Sequence, residues 1–148
     1  MSENASVTIT RQSGYQFLVD FGPALPQLLA DEPAPLGQGT GPAPDHMLLA
    51  AVANCLSASL LFALQKFKQD PGALVATATP EVGRNENKRL RIQRIHVQLE
   101  LGKTAGEIEH LDRVLSQFEE FCTVSMSVRQ GIAIDIEVRD GAGAVIKG

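Results

Sequence analysis

Apolar and polar positions change period several times along this chain, and one stretch has no period at all. From Met47 to Leu64 nearly every residue is apolar, interrupted only by Asn54, Ser57 and Ser59. A helix of that kind is buried rather than amphipathic. Pro44 and Asp45 suit its first turn, where a missing N–H costs nothing and a carboxylate meets the positive end of the dipole. Lys66 and Lys68 put cations at its end, before Pro71-Gly72. The segment from Pro42 to Asp70 is thus predicted to be the central buried helix around which the rest is built, with Cys55 near its middle. The apolar run touches the lower end of the membrane-spanning range, about 17–25 residues. Its three polar residues and many alanines, and the water-soluble look of the flanking chain, favour a core helix.

Ahead of this helix the period is two. Val7 and Ile9 alternate with Thr8 and Thr10, Gln12-Ser13-Gly14 reads as a turn, and Tyr15, Phe17, Val19 and Phe21 alternate again. A β-hairpin is expected. Arg11 falls on the same parity as Val7 and Ile9. A strand end emerging into water explains it, and so does a guanidinium held by a carboxylate or thiolate. Residues 22–44 hold six of the eight prolines around a short apolar piece, Leu25 to Ala30. An ordered loop of that length is usually functional or interfacial. Its GQGTGP run lacks the Lys-Ser/Thr ending and the preceding parallel strand of a phosphate loop.

Beyond the helix, Ala73 to Val82 reads as a strand, residues 83–87 as a turn, and Lys88 to Leu101 as a second strand. The apolar parity of that strand switches after Ile92, which predicts a β-bulge near Gln93-Arg94. Thr104 and Glu107 form a capping-box pair, and Ile108, Leu111, Val114, Leu115, Phe118 and Phe121 follow helical spacing. One amphipathic helix to about Phe121 is expected. Cys122 follows, then a short helix capped by Thr123 or Ser125 and stopped by Gly131. Ile132 to Val138 alternates as a half-buried strand. Helices and strands do not alternate regularly, so the fold class is α+β with a mainly antiparallel sheet. His96 and His110 read as surface or stripe-edge residues.

A chain of 148 residues fits a single domain, 1–148, with a real core. The net charge of −4 argues against a general binder of nucleic acid or anionic membrane, and the cluster Lys88, Arg89, Arg91, Arg94 reads as a solvated strand face. No secretory signal opens the chain, and two cysteines without a CxxC spacing make neither a disulfide scaffold nor a zinc site. A cytoplasmic protein with two free or redox-active thiols, and with neither metal nor cofactor, is expected.

A cysteine inside a buried helix is commonly an inert small hydrophobe. Polar atoms from Asn54, Ser57 and Ser59 near Cys55 favour chemistry instead. So do a second cysteine at a helix junction, where a helix N-terminus lowers a thiol pKa, and an arginine on the apolar parity of an early strand.

With these residues in view, GPAPDHMLLAAVANCL and FEEFCTVSMSVRQGIAIDIEV resemble the two cysteine motifs of the OsmC/Ohr family, the osmotically inducible and organic hydroperoxide resistance proteins. The order of elements is similar over nearly the whole chain. The resemblance implies an intertwined α+β homodimer, wrapped around the long central helices, with active sites at the subunit interface. It also implies thiol-dependent reduction of organic hydroperoxides. Carried over, Cys55 is the peroxidatic cysteine and Cys122 the resolving one. Asp45 stands where the hydroperoxide branch carries glutamate, and Arg11 is the candidate for the arginine that activates the thiolate. The resemblance further implies a dithiol reductant of lipoyl or thioredoxin type. Two residues differ from the family pattern: Asp45 is one methylene shorter than glutamate, and Thr123 stands where proline is common. Leu48, Val52, Phe118 and Phe121 are the candidate apolar walls for an organic peroxide. The alternative is a non-catalytic dimeric module that binds an apolar small molecule at the same cleft.

Overall fold

The computed structural model describes residues 6–148, which form two compact units, one reaching to Leu48 and the other running from Leu49 to Gly148. In the first unit β1 (Thr8–Ser13), β2 (Gln16–Asp20) and β3 (Leu28–Ala30) make an antiparallel sheet in that order. The expected hairpin is present, but its turn is Gly14-Tyr15, one step later than the sequence suggests. Gly14 takes φ +53°, the left-handed region that favours glycine. The register shifts between Arg11 and Ser13. Arg11 stands opposite Phe17, and Ile9 opposite Val19.

The proline-rich loop is ordered by a carboxylate that the sequence did not single out. Asp31, only 2% exposed, accepts hydrogen bonds from the Thr40 hydroxyl (2.7 Å) and from the backbone N–H groups of Glu32, Gln38 and Thr40. These donors, the Thr40 hydroxyl first, hold its carboxyl below the usual range. Gly37 is required here, because a Cβ would run into the Glu32 carbonyl and the Asp31 carboxylate.

α1 (Pro44–Lys66) begins where the proline–acid pair predicts. Met47 N–H bonds to the Ala43 carbonyl, which makes Ala43 the cap and Pro44 the first helical residue. His46 Nδ1 accepts from the Ala43 N–H at 3.0 Å, the return bond that a carboxylate at this position usually makes. At the other end Gln69 N–H reaches back to the Leu64 carbonyl while Lys68 takes φ 58°, so the helix closes on a left-handed lysine ahead of Pro71. Within the chain α1 is not buried all round. Val52, Leu56, Ser59, Leu60, Ala63 and Leu64 are buried, whereas Leu61 and Phe62 are 37% and 51% exposed. By length and composition α1 could also cross a membrane, a property it shares with core helices.

In the second unit β4 (Leu74–Arg84), β5 (Leu90–Leu101), β6 (Ala133–Arg139) and β7 (Val145–Lys147) form a sheet in sequence order. Glu81 pairs with Arg94 and Val82 with Ile92, so Gln93 is the bulged residue, as the parity switch predicts. The β4–β5 turn falls after Arg84, where the Asn85 side chain accepts from Asn87 and Arg89 N–H. β5 and β6 pair in parallel, the one parallel ladder among the described strands. A parallel pair needs a crossover, and the crossover holds the remaining helices. Ile95, Val97 and Leu99 lie in register with Ile134, Ile136 and Val138, all of them buried except the half-buried Ile136. The pattern of apolar positions does not predict β7.

The amphipathic helix expected to reach Phe121 is broken. A 3-10 turn spans Ala105–Glu107, α2 runs Leu111–Gln117, and another 3-10 turn spans Phe118–Phe121. The capping pair does form, with Glu107 accepting from the Thr104 N–H at 3.0 Å, but it closes only the first turn. His110 then takes φ 60° and cannot continue a right-handed helix. It stacks on Phe67 at 5.0 Å, exposed as the sequence suggested.

Candidate functional site

α3 (Thr123–Val128) opens directly after the second cysteine, and its cap differs from both expected residues. Cys122 itself is the N-cap, its Sγ accepting the Ser125 N–H at 3.3 Å. Cys122 is wholly buried. Thr123 is consequently the first helical position, where the backbone demands of proline and threonine coincide, since no intrahelical N–H bond is lost there.

Cys55, half-buried on α1, lies against this cap. Its thiol adjoins the Cys122 thiol and the backbone N–H groups of Val124 and Ser125. Both cysteines are free. Burial pushes the Cys55 thiol up, the neighbouring Cys122 adds to the rise, and the two backbone amides oppose it. The Ser125 hydroxyl is completely buried and has no hydrogen-bond partner among the described residues. Two residues 67 positions apart in sequence are thus brought together by packing α1 against the crossover.

The other two candidate residues belong to the first unit. Arg11 is exposed and its Nε donates to the Gly14 carbonyl at 2.8 Å, closing its own hairpin. Asp45 is exposed, its Oδ1 accepting from the adjacent His46 N–H at 3.1 Å. On α1, ten residues of rise separate Asp45 from Cys55, about 15 Å.

Of the expected apolar walls, Val52 and Phe118 are core residues with no exposure, and Leu48 is half-buried. Phe121 is 43% exposed and meets Phe62 edge to face, ring centroids 5.4 Å apart. Lys66 Nζ sits 5.0 Å from the Phe121 centroid. Phe62 lies seven residues, two helical turns, beyond Cys55 and hence on the same stripe of α1. That spacing was the available signal for Phe62. Ser125 stands three residues after the second cysteine, and the sequence points to it only as a cap.

A separate apolar cavity of about 200 Å³ lies within the first unit, lined in part by Ile9, Tyr15, Phe17, Val19 and Met47.

The sequence of residues 37–137 matches the family described as OsmC-like protein. Solved structures share the fold at low identity. An OsmC-like protein from Vibrio cholerae superposes with TM-score 0.76 at 17% identity, covering 93% of this chain and 99% of the other. An organic hydroperoxide resistance protein from Elizabethkingia anophelis gives 0.71 at 19%, covering 95% and 98%. The organic hydroperoxide resistance protein OhrB of Bacillus subtilis gives 0.69 at 16%, covering 93% and 98%. No curated protein sequence matches this chain.

Proposed function

This chain belongs to the OsmC-like family, and we propose that within it the protein is a thiol-dependent peroxidase of organic hydroperoxides. The observation that carries this reading is the proximity of Cys55 to Cys122, not joined by a disulfide, at the capped start of α3. Similar folds that bear the name organic hydroperoxide resistance protein support it.

Cys55 as thiolate attacks the outer oxygen of a hydroperoxide. A sulfur–oxygen bond forms, the oxygen–oxygen bond breaks, and the alkoxide takes a proton to leave as alcohol. Cys122 then attacks the Cys55 sulfur, giving a disulfide and releasing the sulfenic oxygen as water. A dithiol of lipoyl or thioredoxin type returns both thiols by exchange. Hydrogen peroxide is a poorer substrate where the approach to sulfur is apolar.

The first step needs a cation, because burial and Cys122 disfavour the Cys55 thiolate. Arg11 fills that role, with a guanidinium that stabilises both the thiolate and the developing alkoxide. OsmC-like proteins are typically homodimers, and the exposed Leu61, Phe62 and Phe121 give this chain an apolar face for a twin. With the two α1 helices antiparallel, Asp45 orients the arginine beside the other chain's Cys55, a distance its own helix forbids. The site lies in the cytoplasm, away from nucleic acid and membrane.

The deciding experiment treats the reduced protein with one equivalent of an organic hydroperoxide and reads the products by mass spectrometry. A Cys55–Cys122 disulfide, with Cys55 trapped as sulfenic or sulfinic acid in Cys122→Ser, is expected. Slow and equal oxidation of both thiols, matching an unfolded control, would overturn the reading. The apolar cavity of the first unit favours a second reading, a non-catalytic module for an apolar small molecule. Ligand binding unchanged in Cys55→Ser, without peroxide turnover in the wild type, would establish it.

A further inference from the structure

Ser125 presents a contradiction that the reduced protein does not resolve. Its backbone N–H donates to Cys122 Sγ at 3.3 Å and lies near the Cys55 thiol. Its hydroxyl, three covalent bonds from that nitrogen, is fully buried and unpaired among the described residues. A buried hydroxyl without a partner is costly, and native proteins keep few of them. A serine inside a helix usually relieves the cost by bonding back to a carbonyl one turn earlier, and Ser125 does not. The surroundings do not need a hydroxyl either: alanine would fill nearly the same space.

An acceptor appears in this place only when the chemistry proceeds. Oxidation of Cys55 puts a new oxygen on a sulfur that adjoins Ser125. We propose that the Ser125 hydroxyl is the donor that receives this oxygen, holding the sulfenic acid of Cys55 in line for attack by Cys122 and assisting the oxygen's departure. The inference rests on the peroxidase reading above. In the resolving step the Cys122 thiol gives its proton, the Cys55–Cys122 sulfur bond forms, and the Cys55 sulfur–oxygen bond breaks to release water. The Cys122 sulfur is oxidised as the Cys55 sulfur is reduced, so the step needs no further oxidant or reductant. Ser125 donates a hydrogen bond throughout and keeps its proton. Its amide, freed when Cys122 Sγ moves from the cap to Cys55, becomes a second donor at the same point.

The consequence is a division between steps. Loss of the hydroxyl should leave attack on peroxide nearly unchanged, because thiolate and peroxide meet before the sulfenic oxygen exists. It should slow resolution and so expose the sulfenic acid to a second peroxide molecule. The test compares wild type, Ser125→Ala and Ser125→Thr with graded amounts of an organic hydroperoxide. Loss of the first thiol, the ratio of sulfinic acid to disulfide at Cys55, and the Tm of the reduced protein are measured. For Ser125→Ala the expected result is an unchanged first step, a Tm equal to or above wild type, and a ratio raised about threefold to tenfold, as for a lost neutral hydrogen bond. Ser125→Thr, which keeps a hydroxyl, should restore the ratio towards wild type. An unaltered ratio in Ser125→Ala, beside a wild type that forms the disulfide, overturns the role of Ser125 and leaves the peroxidase standing. A sharp fall in Tm or failure to fold also overturns it, since the hydroxyl would then serve the reduced protein. A wild type that forms no disulfide removes the peroxidase reading itself.

Discussion

His46 closes the first turn of α1 by accepting the Ala43 N–H on Nδ1 at 3.0 Å, while Asp45 beside it is exposed and bonds only to its neighbour's amide among the described contacts. The two residues therefore divide the work at this helix end. His46→Ala should cost about 0.5–2 kcal/mol, the usual value of a lost cap, measured by urea denaturation, with peroxide turnover retained.

Asp45→Ala should do the reverse, leaving stability within about 0.5 kcal/mol as for an exposed substitution and lowering turnover. Ten residues of helix keep Asp45 from its own Cys55, so complementation is expected. Heterodimers of Asp45→Ala with Cys55→Ser contain one site with both groups intact and should show more activity than either parent. Heterodimers without such a gain, beside a fully active Asp45→Ala parent, would reduce Asp45 to a helix-end charge.

Phe62 and Phe121 form an aromatic pair open to solvent on one chain. Phe62→Glu should convert a dimer into a monomer of the chain's 15.9 kDa mass, as read by light scattering at micromolar concentration. A wild type that is itself monomeric would refute the twin-helix interface. Phe118→Ala should instead cost about 3–5 kcal/mol, because that ring is wholly buried.

The raised pKa of Cys55 gives a signed prediction. Burial and Cys122 favour the neutral thiol, so in the Phe62→Glu monomer Cys55 alkylation should gain rate only above the ordinary thiol range of about 8.5. Cys122→Ser removes one of the causes and should shift that midpoint down. In the wild-type dimer, Arg11→Ala should move the midpoint up, and in the monomer it should have no effect. An Arg11→Ala dimer with an unmoved midpoint would assign thiolate stabilisation to another cation. For folding the sign is set likewise. A thiol raised in the folded state contributes stability at pH values below its unfolded pKa, and the contribution fades as pH rises through the folded value.

Asp31 titrates in the opposite sense. Its carboxyl is held low by Thr40 first, so its contribution is complete above the unfolded value of about 3.9 and disappears as pH falls through the lower folded value. Thr40→Val should raise the pH at which the 32–40 loop loses amide-exchange protection. An unshifted acid transition would show that the loop is held by other contacts.

Much of this fold is legible in local sequence patterns. The apolar run of α1, the proline–acid start, the bulge at Gln93 and the parity of β5 and β6 are local patterns, and each is carried by residues within a few positions of one another. The break at His110 was not legible, because a continuous apolar stripe is compatible with one helix or with three pieces on one surface. The stacking of Phe67 on His110 belongs to the packing. Neither cysteine announces its partner: the contact of Cys55 with Cys122 depends on a crossover that a parallel β5–β6 ladder requires. The loop is ordered by Asp31, whose donors lie up to nine residues away and have no periodic signature. The pattern of apolar positions determined which segments must be helix or strand, since burial on one face follows from period alone. Which thiol faces which amide, and which hydroxyl is left without a partner, was decided by tertiary packing, since those contacts join residues the chain keeps far apart.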